Sequence, residues 1–555
     1  MATSGTNNVV VRPMANFSPS LWGDRFYSYS IDHKVGKAYA EEIENLKEQT
    51  RAMLSSPDDL GSSYDTVEKL KFIDLLERLG ISYHFEKEIE DHLHHISTIA
   101  HHQHHYNDLE TVALQFRLLR QHGFHISSDI FNGFVGMDGK FKDTSNVSGL
   151  LSLYEASMVI TRTDDNILGG AFDFANTRLR TAAAAATTTS TLDKLVAHAL
   201  EQPLHTGMPR IETRFFISVY EANPSRNNDI LLRFAKLDYN TLQMLHRQEL
   251  SEISRWWQGL NFAKTLPYAR DRAVECYFWA LGVYFEPKYS KARVMLAKNI
   301  CIVSILDDTY DAYGTIPELD VYTHAVSKWD ISEIDHLPDY MKISYKALLD
   351  IFEEDEMKLS KEGRSFAVHH AKERMKELVS AYLIEAKWLS ENQHKPPIAE
   401  YLRNGLISCT YYLLATISCY GLECADEQVF EWLMKNPKVL EASTMICRTI
   451  DDIATFDVEK ERGQEVTGIE CYMNEHGVAL DVALETFNEL AKCALKDLNQ
   501  GILKPTPVPR EILLRILNLS RIVYVTYQHN QDGYTHPEKV LKPHILALLL
   551  HPLPL

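Results

Sequence analysis

The chain has 555 residues, of which 45% are hydrophobic, 24% are charged and 10% are aromatic. This length exceeds one ordinary compact domain, so we expect two domains, and the composition excludes an intrinsically disordered chain. A formal net charge of -19 excludes the basic groove that nucleic-acid binding needs. The sequence contains no run of about 20 uncharged apolar residues, so no membrane-spanning helix is predicted.

The N-terminal segment lacks the features of a targeting sequence. It contains no apolar signal core, and eleven residues precede Arg12. A transit peptide is therefore not expected, and we predict a cytoplasmic protein. All eight cysteines lie from Cys276 onward without metal-ligand spacing, which favours reduced thiols in the core.

Helical patterns follow one another along almost the whole chain. Segments such as 66–79 and 113–121 place apolar residues three and four positions apart, whereas period-two alternation is rare. The sequence therefore predicts an all-α fold without a sheet. The polar, turn-rich stretch 223–229 is the candidate boundary between an N-terminal domain over residues 1–228 and a C-terminal domain over residues 229–555.

Two features of the N-terminal half could suggest a metal site. Imidazole is a common metal ligand, and seven histidines crowd one stretch: His92, His94, His95, His101, His102, His104 and His105. No acidic or cysteine partner stands at a fixed spacing, so we interpret the stretch as solvated surface. Asp164 and Asp165 form an isolated acidic pair, which we interpret as a local cap or turn.

An acidic cluster, Asp307-Asp308-x-x-Asp311, follows the apolar run 300–306, which is predicted to be a buried helix. Residues four apart share a helical face, so Asp307 and Asp311 present two carboxylates in one direction. Such carboxylates would be costly to bury without cations. The cluster therefore predicts one half of a metal site, with Asp308 as a supporting hydrogen-bond partner.

A second set of oxygen ligands lies 144 residues downstream, at Asp451, Thr455 and Glu459. The four-residue steps place all three on one helical face, across about 12 Å of helix axis. Mg²⁺ prefers hard oxygen ligands and retains several waters, so carboxylates, a hydroxyl and phosphate oxygens can complete its coordination. The two acidic elements together predict a magnesium clamp.

Three arginines accompany the acidic elements. Arg270 and Arg272 stand 35 to 37 residues before Asp307, and Arg448 lies one helical turn before Asp451. Guanidinium groups bind phosphate oxygens in bidentate fashion. Three Mg²⁺, four carboxylates, a diphosphate and three arginines sum to about +2, so the assembly would stabilise the charge that develops on a departing diphosphate.

Aromatic side chains are abundant around these motifs. The run 276–285 is rich in them, and the C-terminal half adds Tyr411, Tyr412, Tyr527 and Tyr534. Aromatic faces attract cations, although core packing is the better explanation for any single ring. Trp279 is the strongest candidate, because it lies one to two helical turns from the arginine pair.

These motifs resemble the plant class I terpene synthases, and among them the cytosolic sesquiterpene cyclases of the epi-aristolochene and germacrene type. The resemblance covers nearly the whole chain. It rests on Arg12-Pro13 with eight residues before Trp22, and on segments 79–89, 270–287, 306–315, 448–459 and 525–544. It implies two helical domains, a catalytically silent N-terminal α-barrel and a C-terminal α-bundle that holds the active site.

The same resemblance implies the roles of individual residues. Three Mg²⁺ ions, with Mn²⁺ as a substitute, would be held by Asp307, Asp311, Asp451, Thr455 and Glu459. The diphosphate would be bound by Arg270, Arg272 and Arg448 together with Asp307, Asp311 and Asp451. Trp279 would line the cation cavity, Ser408, Cys409 and Thr410 would form a helix break facing the cation, and Tyr527, Asp532 and Tyr534 would reprotonate neutral intermediates.

Three departures limit what the resemblance implies. Related enzymes can carry paired arginines near the N-terminus, whereas this chain has Arg12-Pro13, which weakens any expectation of substrate isomerisation. Cys409 replaces the hydroxyl residue of similar enzymes, so the cavity differs where the product is chosen. No Asp-x-Asp-Asp sequence occurs, so protonation-initiated cyclisation is not expected.

The sequence thus predicts a monomeric, magnesium-dependent enzyme that ionises farnesyl diphosphate and cyclises it, beginning with closure of a ten-membered ring. Two alternatives remain at this stage. A chain-elongating prenyltransferase uses the same metal chemistry but normally needs two Asp-rich motifs, and here Thr455 and Glu459 occupy the second. The chain could also be a helical scaffold with a decayed site, although both ligand sets are intact.

Overall fold

The computed structural model describes residues 12, 15, 17–55, 63–100, 108–185, 190–223, 229–390, 395–464 and 466–555. Throughout these ranges the regular elements are helices, and the one pairing of extended backbone is an isolated antiparallel bridge between Val135 and Phe141. The all-α prediction is confirmed. None of the described helices is both long and apolar enough to cross a membrane.

The N-terminal half contains nine α-helices and three short 3₁₀ helices among its described residues. The α-helices are α1 (His33–Leu54), α2 (Ser63–Arg78), α3 (Glu86–Ala100), α4 (Leu109–Gln121), α5 (Val147–Ser157), α6 (Asp165–Leu168), α7 (Ala171–Ala185), α8 (Thr191–Glu201) and α9 (Pro209–Ala222). The 3₁₀ helices are Ser82–Phe85, Ser128–Phe134 and Arg162–Asp164.

The described C-terminal half contains fifteen α-helices and three 3₁₀ helices. The α-helices are α10 (Asp229–Leu260), α11 (Phe262–Thr265), α12 (Ala273–Val283), α13 (Ser290–Ala312), α14 (Ile316–Lys328), α15 (Asp339–Ser360), α16 (Ser365–Ser390), α17 (Ile398–Ser408), α18 (Tyr411–Ser418), α19 (Glu427–Met434), α20 (Lys438–Glu461), α21 (Gly468–His476), α22 (Leu480–Ile502), α23 (Arg510–Thr526) and α24 (Leu541–Leu549). The 3₁₀ helices are Pro287–Tyr289, Ile331–His336 and Gln528–Asn530.

The isolated acidic pair of the N-terminal half has the structural role predicted for it. The Asp164 carboxylate accepts hydrogen bonds from the Thr161 backbone N–H at 2.8 Å and from its hydroxyl at 2.9 Å, which closes a capping box. Asp165 forms an ion pair with Lys496. The interpretation as a cap is therefore confirmed for Asp164, whereas Asp165 joins α6 to α22.

The histidine-rich stretch is only partly within the described residues. The His92 ring contacts the Leu54 carbonyl at 3.0 Å, and the His94 ring lies beside Phe124. His95 is exposed on α3. His101, His102, His104 and His105 lie outside the described residues.

The apolar core is continuous across the two halves of the chain. One cluster of buried side chains extends from Trp22 to Leu553. The C-terminal tail reaches the first helix of the C-terminal half, where the backbone of Leu553 and the side-chain amide of Asn240 exchange two hydrogen bonds of 2.8 Å. The predicted domain boundary falls at residues 224–228, outside the described residues, and remains a prediction.

The eight cysteines are all unpaired, as the sequence predicted. Six of them are buried, and Cys424 and Cys493 are half-buried. They therefore act as small apolar side chains of the core.

Candidate active site

A cavity of about 800 Å³ opens among α12, α13, α16, α17, α18, α20 and the segment that follows α23. It brings together nearly all the site residues predicted from the sequence. Those that line it are Arg270, Trp279, Asp307, Asp311, Ser408, Cys409, Thr410, Arg448, Asp451, Thr455, Glu459, Tyr527, Asp532 and Tyr534.

The first acidic wall is the C-terminal end of α13. The preceding run Ile300–Leu306 is buried, as its composition predicted, and it fixes the register that turns Asp307 and Asp311 toward the cavity. Asp308 is 1% exposed and accepts a 2.6 Å hydrogen bond from the Arg270 backbone N–H. The Arg270 guanidinium forms ion pairs with Asp307 at 2.6 Å and with Asp308 at 2.8 Å. Asp308 therefore positions Arg270, in agreement with the supporting contact predicted for it.

The second acidic wall is the C-terminal half of α20. Arg448 lies between Asp451 and Asp452, with ion-pair distances of 2.5 Å and 2.6 Å. Asp452 is fully buried and also accepts a 2.8 Å hydrogen bond from the Tyr401 hydroxyl. The Thr455 hydroxyl donates to the Asp451 carbonyl at 2.9 Å, so its oxygen lone pairs remain available as a ligand.

Carboxylates outnumber cationic groups around the cavity. Asp311 makes no hydrogen bond or ion pair with the described residues, and burial together with the charges of Asp307 and Glu385 holds its pKa well above the ordinary value. Burial and the two aspartates of α20 raise the pKa of Glu459 to about 8. These groups repel one another in the protein alone, so the cavity is electrostatically prepared for cations.

Glu385 of α16 is a cavity residue that the sequence analysis missed. Its carboxylate accepts hydrogen bonds from the Ser408 hydroxyl at 2.5 Å and from the Asn404 amide at 3.2 Å. Burial raises its pKa to about 7 despite the charge of Arg448. The available signal was a single acidic residue within the largely apolar stretch 381–386, a pattern too common to be specific.

Aromatic groups form a further wall of the cavity. The Trp279 and Tyr534 rings meet edge to face, with centroids 6.1 Å apart. The Tyr534 hydroxyl donates to Ser304 at 2.7 Å, whereas Asp532 accepts the backbone N–H groups of Tyr534 and Thr535 at 3.0 Å and 2.8 Å. Asp532 thus shapes the turn that carries Tyr534.

The predicted helix break is present between Ser408, where α17 ends, and Tyr411, where α18 begins. Thr410 has a φ of 71°, in the left-handed region. That conformation is unfavourable for a β-branched residue and costs about 1 to 3 kcal/mol, so the surrounding packing must maintain it. The Cys409 thiol donates to the Leu406 carbonyl at 3.3 Å.

The N-terminal segment lies against the same cavity. Ala15 and Phe17 contribute to its lining, and the Phe17 ring centre is 5.0 Å from the Arg270 guanidinium. Arg12 forms an ion pair with Glu318 at 2.7 Å, and the Trp22 indole donates to Glu275 at 2.7 Å. Pro13 lies outside the described residues.

Arg272 is the predicted site residue that the structure does not bring to the cavity. It is 1% exposed, and its guanidinium donates to the backbone carbonyls of Ser18, Asp271, Tyr534 and Thr535 at 3.0 to 3.1 Å. These contacts use four of the five guanidinium N–H groups, so Arg272 joins the N-terminal segment to the Tyr534 turn in this structure, and its role as a diphosphate contact remains a prediction.

The donors around the cavity suit a hard cation that shares its coordination with another molecule. Within the part of the chain that the structure describes, no three His, Cys, Asp or Glu side chains are placed to hold a metal by themselves. Each acidic wall instead offers carboxylate oxygens and, on α20, a hydroxyl. Mg²⁺ keeps several waters and binds proteins through a few carboxylates plus substrate phosphates, so the residues fit this ion.

Comparison with known sequences gives a consistent family match. The profile described as "Terpene synthase, N-terminal domain" matches residues 21–200, and the profile described as "Terpene synthase family, metal binding domain" matches residues 258–497. The (-)-5-epieremophilene synthase STPS2 of Salvia miltiorrhiza is 52% identical over 556 residues, covering 100% of both chains.

Solved structures agree with the sequence matches. Limonene synthase with 2-fluorolinalyl diphosphate has a TM-score of 0.90 at 29% identity, covering 98% of this chain and 100% of that one. Isoprene synthase of grey poplar, in complex with three Mg²⁺ ions and dimethylallyl-S-thiolodiphosphate, has a TM-score of 0.84 at 31% identity, covering 93% and 98%.

Proposed function

This chain belongs to the terpene synthase family, and from that premise we propose that its cavity binds farnesyl diphosphate, ionises it and cyclises it to a sesquiterpene with release of diphosphate. The full-length relative at 52% identity, a (-)-5-epieremophilene synthase, supports the choice of a fifteen-carbon substrate. The observation that carries the proposal is the meeting of two acidic walls with the Arg270 and Arg448 guanidinium groups around one aromatic-lined cavity.

Magnesium is the proposed cofactor, with Mn²⁺ as a substitute. Asp307 and Asp311 on one wall and Asp451, Thr455 and Glu459 on the other would hold it, and three ions are supported by the isoprene synthase complex. Glu385 adds a third carboxylate beside the first wall. When bound, the ions neutralise the carboxylates and supply Lewis-acid stabilisation of the diphosphate oxygens.

Arg270 and Arg448 are the proposed diphosphate contacts. Both line the cavity, and each is held by two carboxylates, so their positions are fixed before substrate binds. Positive groups aimed at the departing diphosphate stabilise the charge that develops as the allylic carbon–oxygen bond breaks. Because the guanidinium groups need no reorganisation during this step, their effect falls mainly on the ionising transition state.

The carbocation would then face the aromatic wall. The Trp279 and Tyr534 rings present π faces and edges that stabilise positive charge without adding a nucleophile. Ser408, Cys409 and Thr410 bound the cavity at the helix break, and we propose that they shape the folding of the chain for closure of a ten-membered ring. The proposed proton-transfer group consists of three further residues that line the cavity, Tyr527, Asp532 and Tyr534.

Substrate preference tests this proposal directly. The purified protein is incubated with geranyl, farnesyl or geranylgeranyl diphosphate and Mg²⁺, and the products are identified by gas chromatography with mass spectrometry. We expect cyclic fifteen-carbon products, with kcat/KM for farnesyl diphosphate highest. Equal or faster turnover of geranyl diphosphate would refute the sesquiterpene assignment, and a longer prenyl diphosphate as product would indicate chain elongation.

Two further predictions concern the protein's state in the cell. We propose a monomer in the cytoplasm, based on the sequence analysis. Size-exclusion chromatography with light scattering should give the mass of one chain. Imaging of a C-terminal fluorescent fusion should show cytoplasmic fluorescence.

A further inference from the structure

A second cavity, of about 500 Å³, lies between the two halves of the chain and shares no lining residue with the first. We call it the interdomain cavity. Its N-terminal wall comes mainly from α2, α3, α4 and residues 204–213, and its C-terminal wall comes mainly from α23. Its volume lies within the range of small-molecule binding sites.

Two arginines of α23, Arg510 and Arg521, line this cavity without a carboxylate partner among the described residues. The Arg510 guanidinium donates to the Gln121 carbonyl at 3.1 Å. Arg521 donates to the His205 carbonyl at 2.8 Å and to the side-chain oxygen of Asn518 at 2.9 Å. Both cations are therefore held by neutral groups, which is a costly arrangement for buried charges.

The neighbouring carboxylates are already engaged elsewhere. Glu77 contacts His122 at 2.6 Å, Glu212 contacts His198 at 2.7 Å, Glu86 contacts Lys288 at 3.4 Å, and Glu90 pairs with Lys504. These four acids raise the pKa values of the two arginines only from a distance, and the other acidic side chains of the lining, Asp74, Glu286 and Glu511, pair with Arg117, Arg515 and Lys288. The interdomain cavity consequently retains two guanidinium groups whose charges are incompletely compensated.

The two positive charges also act on each other. Arg510 and Arg521 are eleven residues apart, so about 16 Å of helix axis separates their backbones. Both side chains nevertheless line the same cavity, and burial together with the charge of Arg510 lowers the pKa of Arg521 to about 10. Buried donors with no hydrogen-bond partner in the described structure, Arg510 Nε and Arg120 Nη1, belong to the same lining.

We propose that the interdomain cavity binds a small anion of the phosphate class, held by Arg510 and Arg521. Guanidinium groups bind phosphate oxygens through paired N–H donors, and a bound anion would supply the missing negative charge. An anion here would bind the two arginines that already donate to the backbone carbonyls of Gln121 and His205 in the N-terminal half.

Isothermal titration calorimetry tests the site. The full-length protein is titrated with sodium orthophosphate or sodium diphosphate in EDTA at constant ionic strength. Two variants locate the binding: R510Q/R521Q removes both charges of the interdomain cavity, and R270Q weakens the binding of anions in the aspartate-lined cavity. R403Q, on the exposed side of α17, is the matched control for loss of a positive charge.

We expect the wild type, R270Q and R403Q to share one binding event that R510Q/R521Q weakens at least about tenfold, the loss typical of removing charged hydrogen-bond donors. Tighter binding of diphosphate identifies the released product as the ligand, and equal or tighter binding of orthophosphate identifies free phosphate. No binding by the wild type, or unchanged binding by R510Q/R521Q, overturns the proposal.

Far-UV circular dichroism shows whether R510Q/R521Q is folded. If it is not, wild-type crystals soaked in sodium tungstate provide the second measurement. An anomalous peak between Arg510 and Arg521 supports the site, and peaks confined to other positions overturn it. Neither readout depends on turnover, so failure of this proposal is distinguishable from failure of the cyclase assignment.

Discussion

The variant D307N/D311N is expected to lose at least about 10³-fold in kcat with farnesyl diphosphate while keeping its fold, because both proposed metal ligands of α13 are removed. Asparagine retains the size of aspartate but not its charge. The loss should therefore reflect the weakened hold on cations rather than a change in packing.

Although D307N/D311N is expected to lose activity, its thermal stability should not fall. Asp311 has no partner among the described residues, and its charge is repelled by Asp307 and Glu385. Removing two like charges relieves that repulsion, which outweighs the loss of the partly exposed pair between Asp307 and Arg270. In metal-free buffer, the melting temperature of D307N/D311N should equal or exceed that of the wild type, as measured by circular dichroism.

Asp457→Asn is the matched control for this prediction. Asp457 lies on α20 between two proposed ligands but is exposed and does not line the cavity. Its substitution should leave kcat within about twofold of the wild type, since an exposed charge is screened by solvent. Turnover retained by D307N/D311N would refute the metal site, and a similar loss in D457N would point to a nonspecific charge effect.

Replacement of Arg448 by glutamine is expected to reduce both activity and stability. Arg448 compensates the fully buried Asp452 at 2.6 Å, and the remaining Asp452 contact is the Tyr401 hydroxyl. Breaking a buried ion pair by removing one partner costs about 3 to 5 kcal/mol, because an uncompensated charge stays behind. Urea denaturation in metal-free buffer measures the change in the free energy of unfolding.

A second substitution separates the two effects. In R448Q/D452N, the buried carboxylate becomes a neutral amide, so we expect recovery of at least about half of the lost stability. Activity should stay low, since the proposed diphosphate contact is still absent. Equal stability of R448Q and the wild type would contradict the importance of this pair, and full activity of R448Q/D452N would contradict the role of Arg448 in binding diphosphate.

The local rules that made the two acidic walls predictable are strong ones. A helix places residues four apart on one face, so the spacing of Asp307 with Asp311 and of Asp451 with Thr455 was sufficient to predict shared direction. The apolar run before Asp307 also predicted that this helix is buried. The all-α fold followed from the same periodicity, which extends over most of the chain.

The sequence is least informative where side-chain direction depends on tertiary contacts. Arg270 and Arg272 are two residues apart just before α12, and their spacing does not show which one lines the cavity. The structure turns Arg272 toward backbone carbonyls that lie far away in sequence, at Ser18 and Thr535. Glu385 escaped notice because it stands alone on α16, and only the packing of other helices around it makes it part of the cavity lining.

The interdomain cavity was likewise invisible in the sequence. Arg510 and Arg521 are ordinary helix residues by pattern, and arginine on an amphipathic helix is usually solvated. Their incomplete charge compensation emerges only when α23 packs against carbonyl groups of the N-terminal half. Such a feature depends on contacts across more than three hundred residues of chain.

The most direct test of the account is a crystal structure of this protein with Mg²⁺ and diphosphate. We predict metal ions bound between the diphosphate and the carboxylates of Asp307 and Asp311 on one wall and of Asp451 and Glu459 on the other, with Arg270 and Arg448 contacting the diphosphate oxygens. Diphosphate bound without ions, or ions held away from these two walls, would contradict the proposed mechanism.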